Sequence, residues 1–128
     1  MSAMSSGVVG LPPGPLTRAV LAGMPEDGHR YELIDGTLIV SPAPKIRHQR
    51  AVLGLYRALV DAGPAGHEVL VAPVEVVLGE GTVIQPDVLV APAAAFTESD
   101  LPGPPLLAAA RSEHGSSCRS PSRSFRPR

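Results

Sequence analysis

A chain of 128 residues with two Tyr, two Phe and no Trp is one domain at most, and its core has to be built from Val, Leu, Ile and Ala. Its formal net charge of -1 supplies no overall attraction to nucleic acid or to an anionic membrane. The single cysteine, Cys118, excludes an internal disulfide and a cysteine-rich zinc site, and it fits a reducing cytoplasm.

Residues 1–15 are mostly Ser, Gly and Pro, too poor in large apolar groups to order themselves, so a disordered N-terminus is expected. This segment lacks the charged-then-apolar order of a secretion signal, and no apolar run approaches the ~20 residues of a spanning helix. A soluble, cytoplasmic protein is expected. Leu16 to Met24 predicts a short helix with Thr17 near its start, ended by Met24-Pro25-Glu26-Asp27-Gly28. Tyr31-Glu32-Leu33-Ile34 and Thr37-Leu38-Ile39-Val40 flank Asp35-Gly36, a pair that tolerates the positive φ angles of a tight turn. This is the strongest hairpin signal in the chain.

Ser41-Pro42-Ala43-Pro44 stops the second strand and leads into a helix predicted from Lys45 to Ala62. On a 3.6-residue wheel Val52, Leu55, Tyr56 and Leu59 gather on one side, with His48 in line, while Arg47, Arg50 and Arg57 gather on another. His48 is then either a half-buried ring bonded to backbone or a side chain reaching a cleft. The three arginines are either a solvated face or a phosphate-contacting stripe. Gly63-Pro64-Ala65-Gly66 ends the helix.

His67 to Ala72 and Val74 to Leu78 read as strands interrupted at Pro73, and Gly79-Glu80-Gly81 turns the chain back into Thr82 to Val90 as an antiparallel partner. Within that run Pro86 forces Gln85 into an extended conformation and removes a ladder donor. Asp87 follows, a lone carboxylate between apolar β-branched runs. It is either a surface acid after a bend or a metal ligand, because a buried carboxylate needs a partner. Ala93 to Pro105 reads as loop or short helix, and Leu106 to Ala110 as a further strand or helix. The order predicts an α+β domain with a mixed or antiparallel central sheet.

Four motifs occur in a fixed order: Tyr31-Glu32-Leu33-Ile34-Asp35-Gly36-Thr37-Leu38, Ser41-Pro42-Ala43-Pro44 with His48, Ala72-Pro73-Val74-Glu75-Val76, and Gln85-Pro86-Asp87-Val88. Together they resemble the Uma-type restriction endonuclease family of the PD-(D/E)XK nuclease superfamily, over about Leu16 to about Leu107. The resemblance implies a restriction-endonuclease-like αβ core, DNA as partner and Mg²⁺ as cofactor. It also implies Asp87 as the metal-binding acid, Glu32 as a second acid near the metal and His48 as an active-site residue. A hard cation suits that chemistry, since it neutralises charge on the phosphate and acidifies the attacking water.

The chain departs from the pattern after the loop that follows Asp87. Family members continue with an apolar strand ending in Glu-Val, a Ser-Pro-Ser-Thr-like stretch and later a lysine. Here Leu106-Leu107-Ala108-Ala109-Ala110-Arg111 contains no acid, and Lys45 is the only lysine. A partial domain over residues 16–110 is expected, truncated before the Glu-x-Lys-like half of its site and so catalytically incomplete. The alternative is a non-catalytic nucleic-acid-binding or assembly module that uses the Arg47, Arg50 and Arg57 face and the basic tail.

Charge changes abruptly at that boundary. Residues 1–110 hold six Lys/Arg against eleven Asp/Glu, whereas 111–128 hold five Arg against Glu113 alone. The tail is expected to be disordered and Arg/Ser-rich. It reads either as a nucleic-acid-binding extension or as an out-of-frame ending. The second is the expectation, since codons such as TCC-GAG-CAC for Ser112-Glu113-His114, read one base later, give Pro-Ser and the start of Thr. A domain cut there leaves one side of its sheet and a helix face uncovered, exposing side chains worth roughly 1.5–3 kcal/mol each when buried. Against a net stability of ~5–15 kcal/mol, a marginal or aggregation-prone chain is expected.

Overall fold

The computed structural model describes residues 11–111. The expectations for residues 1–10 and for the tail, including Glu113 and Cys118, lie outside the described residues. The order of elements is α1 (Arg18–Ala22), β1 (Arg30–Ile34), β2 (Thr37–Ser41), α2 (Ile46–Ala62), β3 (His67–Val71), β4 (Glu75–Gly79), β5 (Thr82–Ile84), β6 (Val88–Pro92), a 3₁₀ turn (Ala93–Ala95), β7 (Asp100–Pro102) and β8 (Leu107–Ala109). They build an α+β fold with two sheets, one five-stranded in the order β2-β1-β5-β4-β7 and one three-stranded in the order β3-β6-β8. The first is mixed, because β4 and β7 run parallel; the second is antiparallel. Among the described residues no helix is long and apolar enough to cross a membrane.

The predicted hairpin forms with Leu33 opposite Leu38 and Ile34 opposite Thr37. Asp35 and Gly36 have φ values of 48° and 78°, the left-handed pair that matches the twist of two adjacent strands. Gly36 is also needed for space: a Cβ there would come within 2.8 Å of Pro15 Cβ. Its carbonyl accepts from the Leu16 amide at 2.9 Å and its own amide donates to the Gly81 carbonyl at 2.8 Å. The turn thereby ties α1, the hairpin and the β4–β5 turn together. Beneath it Leu16, Leu21, Tyr31, Leu33, Leu38 and Val83 form one buried cluster.

The stretch from Thr82 to Val90, expected as one strand, is shared between the two sheets. Val83 pairs with Leu33 and Val77, and Val88 pairs with Val71 and Ala109. The reason lies in the amides between them. Gln85 N–H goes to the Glu32 carboxylate, Pro86 has none, and Asp87 N–H goes to the Ala109 carbonyl of β8 at 2.8 Å. Pairing with the first sheet stops at Ile84, and the second begins at once. The chain makes the opposite crossing between β3 and β4, at the cis Ala72–Pro73 peptide, and the Ala72 amide donates to the Asp87 carbonyl at 3.0 Å.

Beyond the bend, β6 is buried on both faces, as a continuous apolar run requires. Leu89 and Ala91 join Val76, Leu101 and Ala108 between the sheets. Val88 and Val90 join Val69 on the other face, against Val52 and Leu59 of α2.

Two expectations are corrected here. Leu55 and Tyr56, grouped with the core on the helical wheel, are 39% and 38% exposed. A single helix lying on β3 and β6 covers only the line through Val52 and Leu59, and its flanks project past the narrow sheet. The segment Ala93 to Pro105, expected as loop or short helix, begins with the 3₁₀ turn but also holds a short strand parallel to β4 in which Leu101 is buried. One apolar residue between Asp100 and Pro102 has no alternation to announce a strand. The Thr97 hydroxyl, donating to Asp100 Oδ1 at 2.7 Å and accepting from the Ser99 and Asp100 amides, turns the chain into it.

Candidate active site

Strand alternation sets the first side of the site. Tyr31 and Leu33 point into the core, so Arg30 and Glu32 share the opposite face of β1. Glu32 Oε1 accepts from the Gln85 amide at 2.6 Å, which holds the Pro86 bend against β1. The bend turns Asp87 inward, and its residue exposure is only 5%.

The carboxylate of Asp87 is held differently at its two oxygens. Oδ2 accepts a directed hydrogen bond from the Arg111 amide at 2.7 Å. Oδ1 is buried and lies 2.7 Å from Arg30 Nη2 and 3.2 Å from His48 Nε2. Burial works to raise the Asp87 pKa. The Arg30 guanidinium, the Arg111 amide and the neighbouring His48 outweigh it and hold the group below the usual carboxylate range.

Lys45 is the N-cap of α2, and His48 sits in the first turn, its side chain 15% exposed. Of the two readings of His48, the ring beside a carboxylate is the one found. Arg30, Glu32, Lys45, His48, Asp87 and Arg111 line one cleft of about 300 Å³, together with the Ser41 to Pro44 linker. The proline-rich linker thus does more than stop β2: it walls the site. Three cationic residues, Arg30, Lys45 and Arg111, and two acidic ones, Glu32 and Asp87, line it. Arg47, Arg50 and Arg57 are exposed on α2 and take no part in lining the cleft.

Asp87, Glu32 and His48 are therefore brought into one cleft from three separate stretches. Arg30 and Arg111 are the contributors that motif reading missed. Arg30 carried a signal, since it stands two residues before Glu32 on a strand and so must share its face. Arg111 carried none, because its contribution is a backbone amide that any residue but proline would supply.

A magnesium ion asks for carboxylate oxygens and waters in near-octahedral order at about 2.0–2.1 Å. The donors as arranged do not fit one. Arg30 occupies the approach to Oδ1, Arg111 holds Oδ2, and Glu32 Oε1 is spent on the Gln85 amide. Among the described residues no three His, Cys, Asp or Glu side chains come together as a group able to hold a metal ion.

No curated protein matches the chain. A family model, Uma2, whose description reads "Putative restriction endonuclease", matches residues 20–109, a span that contains β1, the α2 histidine and the proline bend with its aspartate. With that match over most of its length and an α+β core of the restriction-endonuclease kind, the chain belongs to the Uma2 family.

Proposed function

We propose that this chain is a restriction-endonuclease-like domain, over residues 16–110, whose cleft receives a DNA phosphodiester, and that in the form written it does not hydrolyse it. The observation that carries the reading is the meeting of Asp87, Glu32 and His48 in a cleft also lined by Arg30, Lys45 and Arg111. The chain as a whole has no excess of positive charge, so attraction to phosphate is local to that rim.

Restriction-endonuclease-like enzymes generally use Mg²⁺ to neutralise the phosphate and activate water. Asp87 and Glu32 are the two acids that family resemblance assigns to the ion, and His48 is the ring beside them. What is missing is the second half of the site. β8 offers Leu107, Ala108 and Ala109 and no acid, and the sole lysine lies upstream, at the start of α2. With Asp87 committed to Arg30 and Arg111, Glu32 to the Gln85 amide, and no acid on β8, the described residues of the cleft offer no free carboxylate to hold and activate a water.

Incubation with supercoiled plasmid DNA and Mg²⁺ or Mn²⁺ tests the reading. The expected result is salt-sensitive DNA binding without nicking. Divalent-dependent cleavage that disappears in Asp87→Ala overturns the claim of inactivity, and absence of DNA binding at low salt overturns the claim about substrate. A second reading, a non-catalytic nucleic-acid-binding module, is favoured by the exposure of Arg47, Arg50 and Arg57 on α2. It predicts binding that is indifferent to magnesium and to Asp87→Asn, and lost when those three arginines become alanine.

A further inference from the structure

Among the described residues, no strand pairs with the outer side of β3, an edge of its sheet. Just beyond its two ends, the Ala93 amide donates to the Gly66 carbonyl and the Ala72 amide to the Asp87 carbonyl. Antiparallel pairing alternates, so Glu68 and Leu70 also bond toward β6, while Val69 and Val71 aim their N–H and C=O groups outward. Edge strands are ordinarily blunted by Lys, Pro or a bulge. The run His67-Glu68-Val69-Leu70-Val71 has none of these, and its register with β6 is unbroken.

The flank of α2 beside that edge is apolar and open to solvent. Leu53, Tyr56 and Val60 are 52%, 38% and 50% exposed, at a spacing that puts them on one side of the helix. Tyr56 and Val60, with Leu59, line a groove of about 360 Å³ against His67 to Leu70. Its occupant has to offer a strand to β3 and an apolar surface to α2 together. Residues 112–128 offer neither: they contain no Val, Leu or Ile, and the chain leaves for them from β8, the opposite edge of the same sheet.

We propose that the occupant is a second copy of this chain, related to the first by a two-fold axis at Val69, the middle of β3. In that register Val69 exchanges two backbone hydrogen bonds with its counterpart, and each Val71 amide donates to the His67 carbonyl across the axis. Glu68 falls opposite Leu70, so no like charges face each other directly. The helix spacing agrees. Val52 and Leu59 seat α2 on both β3 and β6, so with strands about 4.8 Å apart its axis stands about 5 Å from the two-fold. The two α2 helices then run antiparallel about 10 Å apart, a separation at which helices pack, with Leu53, Tyr56 and Val60 between them.

Sedimentation velocity of the full chain over a concentration series tests it, with amide hydrogen exchange on the same samples. The wild type is expected to dimerise, and Val60→Asp to raise the dissociation constant by about tenfold or more, the scale for a buried interface anchor. Ala58→Asp, exposed on the other flank of α2, is expected to dimerise as the wild type does. The Val69 and Val71 amides are expected to exchange more slowly as dimer accumulates. A wild type that stays monomeric, a dimer that Val60→Asp leaves intact or that Ala58→Asp weakens instead, or Val69 and Val71 amides that exchange alike in monomer and dimer overturns the proposal. Should Val60→Asp fail to fold by circular dichroism, the concentration dependence of exchange in the wild type carries the test by itself.

Discussion

Arg30 Nη2 lies 2.7 Å from Asp87 Oδ1, with side-chain exposures of 20% and 6%, so the first residue of β1 and the acid of the proline bend form a shielded ion pair across two sheets. Removing one member strands the other. Asp87→Ala is expected to cost about 3–5 kcal/mol, because it leaves the guanidinium uncompensated and the Arg111 amide without an acceptor. The midpoint of urea unfolding measures it. A loss under about 1 kcal/mol would mean that solvent reaches the pair and screens it.

The same pair sets a pH dependence. The folded-state pKa of Asp87 is lowered, so the unfolded chain takes up a proton first as pH falls. The stabilisation is present above the ordinary aspartate pKa of ~3.9 and is lost as pH drops through the lower folded value. Wild type is expected to lose stability over that acid window more steeply than Asp87→Asn, which has no proton to gain. Parallel curves from urea melts across the window would remove Asp87 as the cause.

At the hairpin, Gly36→Ala meets two obstacles at once, a left-handed backbone and Pro15 Cβ at 2.8 Å from the added carbon. The backbone conformation alone costs roughly 1–2 kcal/mol for a residue with a Cβ, and the contact adds to it. An expected loss of about 2 kcal/mol or more, read from thermal or urea unfolding, contrasts with Gly54→Ala. Nothing lies within 4 Å of a Cβ at Gly54, and the helix interior gains from the change.

The helix surface gives a control for burial. Leu33 is fully buried between Leu38 and Val83, whereas Leu53 is 52% exposed on α2. Leu33→Ala is expected to cost about 2–5 kcal/mol, and Leu53→Gln to change stability by no more than about 0.5 kcal/mol. Leu53→Gln is also expected to lower light scattering at high concentration, since Leu53 and Val60 leave an apolar stripe in solvent. Unfolding midpoints and static scattering measure the two effects.

What could be read directly from the residues was whatever short-range chemistry dictates. Asp35-Gly36 specified its own turn, Thr17 marked the start of α1 and the run from Met24 to Gly28 its end to within two residues, and Pro42 with Pro44 separated β2 from α2. Alternation along β1 put Arg30 and Glu32 together on one face, and the ordered motifs around Glu32, His48 and Asp87 named the family. Pairing between distant segments followed no such rule. That the Pro86 bend passes the chain from one sheet to another depended on where the Gln85 and Asp87 amides found acceptors, on Glu32 and on Ala109. That Asp87 is answered by a guanidinium and a backbone amide depended on bringing residues 30, 87 and 111 to one point. A buried charge must be neutralised by something, and the primary structure states the need; only the packed chain selects which of its cations, or which amide, meets it.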